Sequence, residues 1–295
     1  MGARTAAPLG AETPSPGTLG PGTLGPGPLG TGPVRIGACK IMAGTTSWAD
    51  RSLVRDGSFY PSRNLNARDR LAYYASRLPL TEVATTYRFP PTPEVARRWV
   101  GATPDGFTMD IQAWSLFSGA PTWPESLWPD LVPEIKPSRR EGAKLYRHRL
   151  PEAVLDECWE RFRHALGPLS AAGRLGAVTV RYPSWFRPGA SAYRDLAELS
   201  VRLEGFAVAV EVTNHRWFEG DNCEQLWAFL ENLGLGYVCT DGPGRRRPVA
   251  ATSAKAFVRF PGRRQWAQDQ DRPRGPAQDA RLDDGPVDGP VDGPV

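Results

Sequence analysis

Between Glu82 and Gln112 the chain changes its hydrophobic period twice. Val83, Thr85 and Tyr87 alternate with Glu82, Ala84 and Thr86, the two-residue rhythm of a strand. Pro90 and Pro91 stop that run, and Thr92 with Pro93 supplies the cap and first-turn proline of a helix. Alternation then returns, with Phe107, Met109 and Ile111 on one face and Thr108, Asp110 and Gln112 on the other. The stretch predicts a strand–helix–strand unit with polar side chains on one strand face, as barrel enzymes present their sites.

The rest of the chain repeats the theme. Lys40–Trp48 predicts a first strand, and Asn66 caps a helix reaching about Leu78, with Leu71, Tyr74, Ala75 and Leu78 on one stripe. From Ser115 to Arg149, prolines at 121, 124, 129, 133 and 137 exclude long regular elements. Leu155, Trp159, Phe162, Leu166 and Leu169 mark a helix over Pro151–Ala171, and Leu196, Leu199 and Leu203 another over Ala190–Leu203. A third helix is expected near Cys223–Leu233. Further strands are expected at Gly176–Tyr182, Phe206–Thr213, Tyr237–Asp241 and Ala256–Phe260. In Phe206–Thr213, Phe206, Val208, Val210 and Val212 suit a face under helices, while Ala207, Ala209, Glu211 and Thr213 suit a barrel interior. Seven strands joined mostly by helices predict an α/β fold, a TIM-type (β/α) barrel lacking its eighth strand and final helices.

Composition alters this picture at the ends. Residues 1–38 are rich in Gly and Pro and contain TLGPG twice; residues 265–295 are charged and proline-rich and finish on repeated GPVD. Both are expected to be disordered, because they bury too little apolar surface to offset ordering entropy. The barrel domain is expected over residues 39–264. The start lacks an apolar signal region, and no run approaches the about 18 apolar residues of a membrane helix. Cys39, Cys158, Cys223 and Cys239 are scattered without a C-x-x-C. Free thiols in a cytoplasmic protein, away from membranes, are therefore expected.

The blocks GTTSW…FYP, EVATTYRFPPTPEVARRWVGATPDGFTMDIQAWSLFSGAPT, LGAVTVRYPSWF, AVAVEVTNHRWF, YVCTDGP and AATSAKAFVRFPGR stand in one order from about Lys40 to Arg263. In that order they resemble the YecE-like family, a domain of unknown function (number 72) that adopts a TIM-type barrel. The resemblance implies the fold, and no settled reaction comes with it. Ala84, Arg88, Gln112, Ala120, Arg181 and Pro261 stand where relatives carry other pocket residues, while Glu82, Thr86, Asp110, Glu211, Asn214 and Asp241 match. Relatives also continue for another strand and two helices where this chain has its repetitive tail.

Candidate chemistry gathers at the C-terminal strand ends. Glu211 and Asp241 are the expected acid–base or cation-binding carboxylates, with His215 four residues on and able to turn back into the mouth. The alternative is a structural ion pair between Glu211 and Arg181 or Arg216. Glu82, Thr86, Arg88, Asp110, Gln112, Arg181, Asn214 and Arg259 are the expected substrate-binding residues, Arg181 as an anion anchor. Three His with no H-x-H, no HExxH and no cysteine pair leave no metal motif, although carboxylates with one His suit Mg²⁺ or Mn²⁺. No cofactor is specified.

Net charge is +4, and its distribution matters more than its size. Lys136–Arg149, Arg245–Arg247 and Arg259–Arg264 place cations beyond strand ends, where they would draw a small anion or a nucleic-acid backbone. Trp114, Trp123, Trp128, Tyr146, Trp185, Trp217 and Trp266 offer stacking surfaces. The expected function is a hydrolase or isomerase acting on an anionic or sugar-like small molecule. The alternatives are a non-catalytic relative that binds an anion or nucleic acid, and a truncated or frame-shifted product.

Overall fold

The computed structural model describes residues 33–134, 144–241 and 247–261. Its centre is a curled sheet of seven parallel strands in sequence order: β3 (Gly44–Thr46), β4 (Leu80–Val83), β5 (Thr108–Gln112), β6 (Leu175–Arg181), β7 (Val208–Glu211), β8 (Gly236–Thr240) and β9 (Phe257–Arg259). Among the described residues this is a TIM-type α/β barrel with seven of its eight strands. Before it lies an antiparallel hairpin, β1 (Val34–Ile36) with β2 (Cys39–Ile41). Alternation in Lys40–Trp48 suggested one strand; the chain instead makes β2, turns, and enters the sheet as β3. Gly44 permits that entry, since a Cβ there would lie 1.9 Å from the Leu80 carbonyl oxygen.

Among the described residues six helices accompany the strands: α1 (Arg51–Asp56), α2 (Ala67–Ala75), α3 (Pro93–Val100), α4 (Glu152–Ala171), α5 (Ala190–Arg202) and α6 (Asn222–Asn232). Sequence and structure agree on the start of α2, where the Asn66 side chain accepts the Asp69 amide at 2.9 Å, and of α3, where Thr92 accepts from Val95. The short α1 carried no periodic signal. Helix α4 ends in a Schellman turn: Gly173 has φ +65°, and the amides of Gly173 and Arg174 donate to the carbonyls of Ser170 and Leu169. That turn delivers the chain into β6. The expected stripe of α4 is buried at Trp159, Phe162, Leu166 and Leu169, with Leu155 only half-buried.

The strand expected over Glu82–Tyr87 begins and ends earlier. After Val83 the chain closes a 3-10 turn over Ala84–Tyr87, because the Thr86 hydroxyl lies 2.6 Å from both the Val83 and Gln112 carbonyl oxygens. The described parts of the proline-rich segment after β5 are held by short turns rather than long elements. Phe117 stacks on Trp159 of α4 with ring centroids 3.5 Å apart, and Trp114 donates its indole N–H to Ser126. These anchors fix the wall beside the C-terminal strand ends.

Candidate functional site at the mouth of the incomplete barrel

Inward-facing positions follow from strand parity. Thr46 pairs in register with Glu82, Glu82 with Asp110, Arg181 with Glu211, and Thr240 with Arg259. Arg259, on the last described strand of the sheet, reaches back across the sheet opening to Glu82 on the second. Its two terminal nitrogens donate to the two carboxylate oxygens at 2.6 and 2.7 Å, a bidentate pair. One of them also lies 3.5 Å from the Thr46 hydroxyl on the first strand. The seam between β9 and β3 is thus spanned by side chains. Thr179 donates to Glu82 at 2.7 Å and Thr46 at 3.3 Å, so both Glu82 oxygens are fully engaged.

Glu211 sits on the other side of the same guanidinium. Its side chain is 3% exposed, and its Oε2 lies 3.1 Å from Arg259 Nε. Both atoms are buried without a properly aligned hydrogen bond, so charge attraction holds this contact without in-line geometry. Arg181 Nε stands 3.5 Å from Glu211 Oε1, and Thr240 donates weakly to that oxygen at 3.5 Å. The Arg181 side chain is 55% exposed, so its guanidinium borders the buried pair while remaining open to solvent.

Charge states follow from these contacts. Burial alone would raise the Glu82 carboxyl, but hydrogen bonds and charge from Arg259, with Thr179 and Thr46, outweigh it and hold the group below its ordinary value. Asp110, its in-register neighbour, lacks such a partner. Burial, and secondly the Glu82 charge, push Asp110 up to about 7, against smaller opposing effects of the Ala177 amide, Lys255 and Arg259. Burial lowers the Arg259 value, yet the two glutamates more than compensate and keep it firmly cationic.

The expected acid–base pair of Glu211 and Asp241 is not assembled by any described contact. Strand β8 ends at Thr240, and with a period of two it is Thr240 that shares the interior with Glu211. Asp241 falls on the opposite parity and is exposed, with its backbone amide donating to the Arg259 carbonyl. His215 is exposed in a turn over His215–Phe218, with Nε2 3.7 Å from Glu219. Among the expected binding residues, Glu82, Arg259 and Arg181 are linked through Arg259 and Glu211, while Asp110 is the in-register neighbour of Glu82 with its carboxyl beside Gly176. Gln112 is buried at the end of β5, where its carbonyl serves Thr86. Asn214 accepts the Arg216 amide and donates to the Ser184 carbonyl, which ties two loops. Arg88 lies over Trp123 at 5.6 Å. Sequence reading missed Thr46, Thr179 and Thr240, although counting back by twos from Arg181 reaches Thr179.

The described members of the expected basic surface have intramolecular partners. Arg147 binds Asp195 at 2.7 Å and lies 3.7 Å from Glu198, Lys144 covers the Trp123 ring, and Arg149 and Arg247 lie over Tyr146 and Phe218. Residues 135–143, Arg245, Arg246, Arg263, Arg264 and Trp266 lie outside the described residues. Trp114 and Trp217 are buried, while Trp123 and Trp185 are exposed. Among the described residues there is no group of three His, Cys, Asp or Glu arranged for a metal ion. Likewise no described helix is long and apolar enough to cross a membrane. A groove of about 480 Å³ lies elsewhere, on the outer surface between α3 and α4, lined by Pro93, Trp128, Glu157 and His164 among others.

Comparison with known proteins is consistent with this architecture. The family described as "Protein of unknown function DUF72" matches residues 42–284. The chain is 24% identical to the UPF0759 protein YunF of Bacillus subtilis over 230 residues, 76% of this chain and 70% of that protein. A DUF72 family protein of Enterococcus faecalis superposes with a TM-score of 0.57 at 21% identity, covering 75% of this chain and 70% of the other. A DUF72 family protein of Thermotoga maritima gives 0.53 at 21% identity, covering 75% and 74%. At these identities the structures speak for the fold alone.

Proposed function

This chain belongs to the DUF72 family of proteins of unknown function, and from that premise we propose that the mouth of its seven-stranded sheet is a small-molecule site. The ligand is an anionic or sugar-like molecule and the reaction a hydrolysis or isomerisation that moves protons. One observation carries the reading: Arg181 and Glu211 occupy partnered positions on β6 and β7, the carboxylate buried and the guanidinium half open to solvent. Arg181 anchors the anion, and Glu211, buried beside it and held by the charge of Arg259 with its Nε at 3.1 Å, is the acceptor for a proton. Arg259 is committed to Glu82 and serves to orient both glutamates rather than to bind ligand. A cytoplasmic setting accompanies this reading and is supported by the four free cysteines.

Thermal unfolding in sulfate, against chloride at matched ionic strength, tests the site. A ligand at a hundred times its Kd stabilises by about 2.7 kcal/mol. Wild-type protein is expected to gain stability in sulfate and Arg181→Ala to lose that gain. An equal response of the two proteins counts against the site.

The bidentate Glu82–Arg259 pair also favours a second reading, a non-catalytic relative in which these charges clasp the sheet where an eighth strand would lie. That relative would bind an anion or nucleic acid at most. Salt-dependent retention of single-stranded DNA separates the two readings, and no retention at low salt removes nucleic acid from consideration.

A further inference from the structure

Positive charge is unevenly placed along the chain. Residues 33–104 hold eleven Arg and Lys against five Asp and Glu, whereas residues 144–241 hold eleven against thirteen. Six of the first eleven fall between Arg51 and Arg77, on the outer flank that α1, α2 and their connecting loop form beside β3 and β4. Four of those six belong to one connected row. Arg77 lies over the Tyr73 ring at 5.1 Å, Tyr73 meets Tyr60 at 5.7 Å, and Arg70 lies over Tyr60 at 5.9 Å. Arg70 also donates to the carbonyls of Arg63 and Leu65, and Arg63 donates to the carbonyl of Arg55 in the last turn of α1. Elsewhere the arginines close on carboxylates, as Arg147, Arg161, Arg174, Arg202 and Arg259 do. Among the described side chains, none of Arg55, Arg63, Arg70 and Arg77 has such a partner. Arg70 is half-buried and the other three are exposed. Asp69, the acid of α2, is held by the Asn66 side-chain amide at 2.7 Å. Helix stability does not account for the row, because Arg68 and Arg70 stand at the start of α2, where the helix dipole disfavours cations.

We propose that this row is a binding surface for a single-stranded nucleic acid, gripped by its phosphate backbone. A guanidinium resting on a carbonyl or a ring keeps its charge uncompensated and its remaining N–H groups free to fork onto phosphate oxygens. A single row of such cations tracks one phosphate backbone. Among the described residues no large apolar side chain is exposed between positions 42 and 88. The flank therefore lacks the apolar anchors that seat an acidic protein or enter a bilayer, and charge is what it offers. This surface is separate from the strand-end face, so the small-molecule reading of the mouth stands or falls without it.

Fluorescence anisotropy of short labelled oligo-dT and oligo-U with the full-length protein, repeated over a series of salt concentrations, tests this. With four phosphates contacted, log affinity is expected to fall against log salt with a slope of about −3. Arg55→Gln combined with Arg77→Gln removes two exposed charges that donate no described hydrogen bond, so the melting temperature is expected to hold. That pair is expected to make the slope shallower by about 1.4 and to weaken binding at least tenfold at about 0.1 M salt. Arg149→Gln combined with Arg194→Gln removes the same charge from exposed positions elsewhere and is expected to bind as wild type does. No binding at low salt, or equal weakening by the two pairs, overturns the proposal. Binding lost in Arg181→Ala but kept in the flank pair places the nucleic acid at the mouth and equally overturns it. Polyglutamate or phosphatidylserine vesicles binding as tightly as the oligonucleotides at matched salt removes nucleic acid as the partner. None of these outcomes touches the sulfate test of the mouth, which reads Arg181 alone.

Discussion

Arg259 stands between Glu82 and Glu211, and disturbing any of the three leaves a charge in a place built for neutrality. Removing one partner of a buried pair costs about 3–5 kcal/mol, whereas replacing a pair by apolar groups of similar size can be neutral. Arg259→Ala is therefore expected to lower the unfolding free energy by about that amount in denaturant titrations. Glu82→Leu combined with Arg259→Met is expected to lose less than Arg259→Ala, since only Glu211 then stays without that cation. Asp110 gives a pH signature of definite sign. Its folded value, raised from 3.8 to about 7, means that the folded state binds the proton more tightly than the unfolded chain. Stability is then full below the ordinary carboxyl range and is lost as pH climbs through 7, by about 4 kcal/mol if no other group responds. Glu82, held below its ordinary value, acts oppositely: its contribution is present above about 4.5 and is lost in acid. Asp110→Asn should flatten the loss on the alkaline side and leave the acid side unchanged, which unfolding curves at a series of pH values will show.

At the level of elements, local chemistry sets most boundaries, and those were readable. Asn66 and Thr92 cap α2 and α3 as their residue types imply, and Thr92→Ala is expected to cost about 1 kcal/mol in thermal unfolding. The end of β4 was not readable, because the Thr86 hydroxyl that closes the turn depends on the Gln112 carbonyl of the next strand. The β1–β2 hairpin lies partly in the Gly/Pro-rich lead-in, where three-residue strands leave no periodic trace. Gly176 shows how a strand residue answers to its neighbour. A methyl there meets Asp110 Oδ1 and Thr108 Cγ2, at 2.2 and 2.5 Å, so Gly176→Ala is expected to destabilise by about 1–3 kcal/mol.

Across the whole molecule, alternation was enough to find the seven strands and to place Glu211 inward. It could not say that Arg259 would bind Glu82, a partner 177 positions away, because that contact exists only once the sheet has curled. Asp241 was misjudged for a simpler reason, a one-residue difference in where β8 ends, which reverses the face. The resulting mouth is a balanced set of buried charges with one cation, Arg181, turned partly to solvent, and the functional account depends on that exposure. The most direct measurement is the ¹⁵N signal of the Arg181 Nε–H group during a sulfate titration at constant ionic strength. The account predicts a saturating displacement at Arg181, with the Arg259 signal, already clasped by two glutamates, nearly unmoved. An Arg181 signal that stays in place, or moves no more than exposed arginines elsewhere such as Arg97, would contradict it.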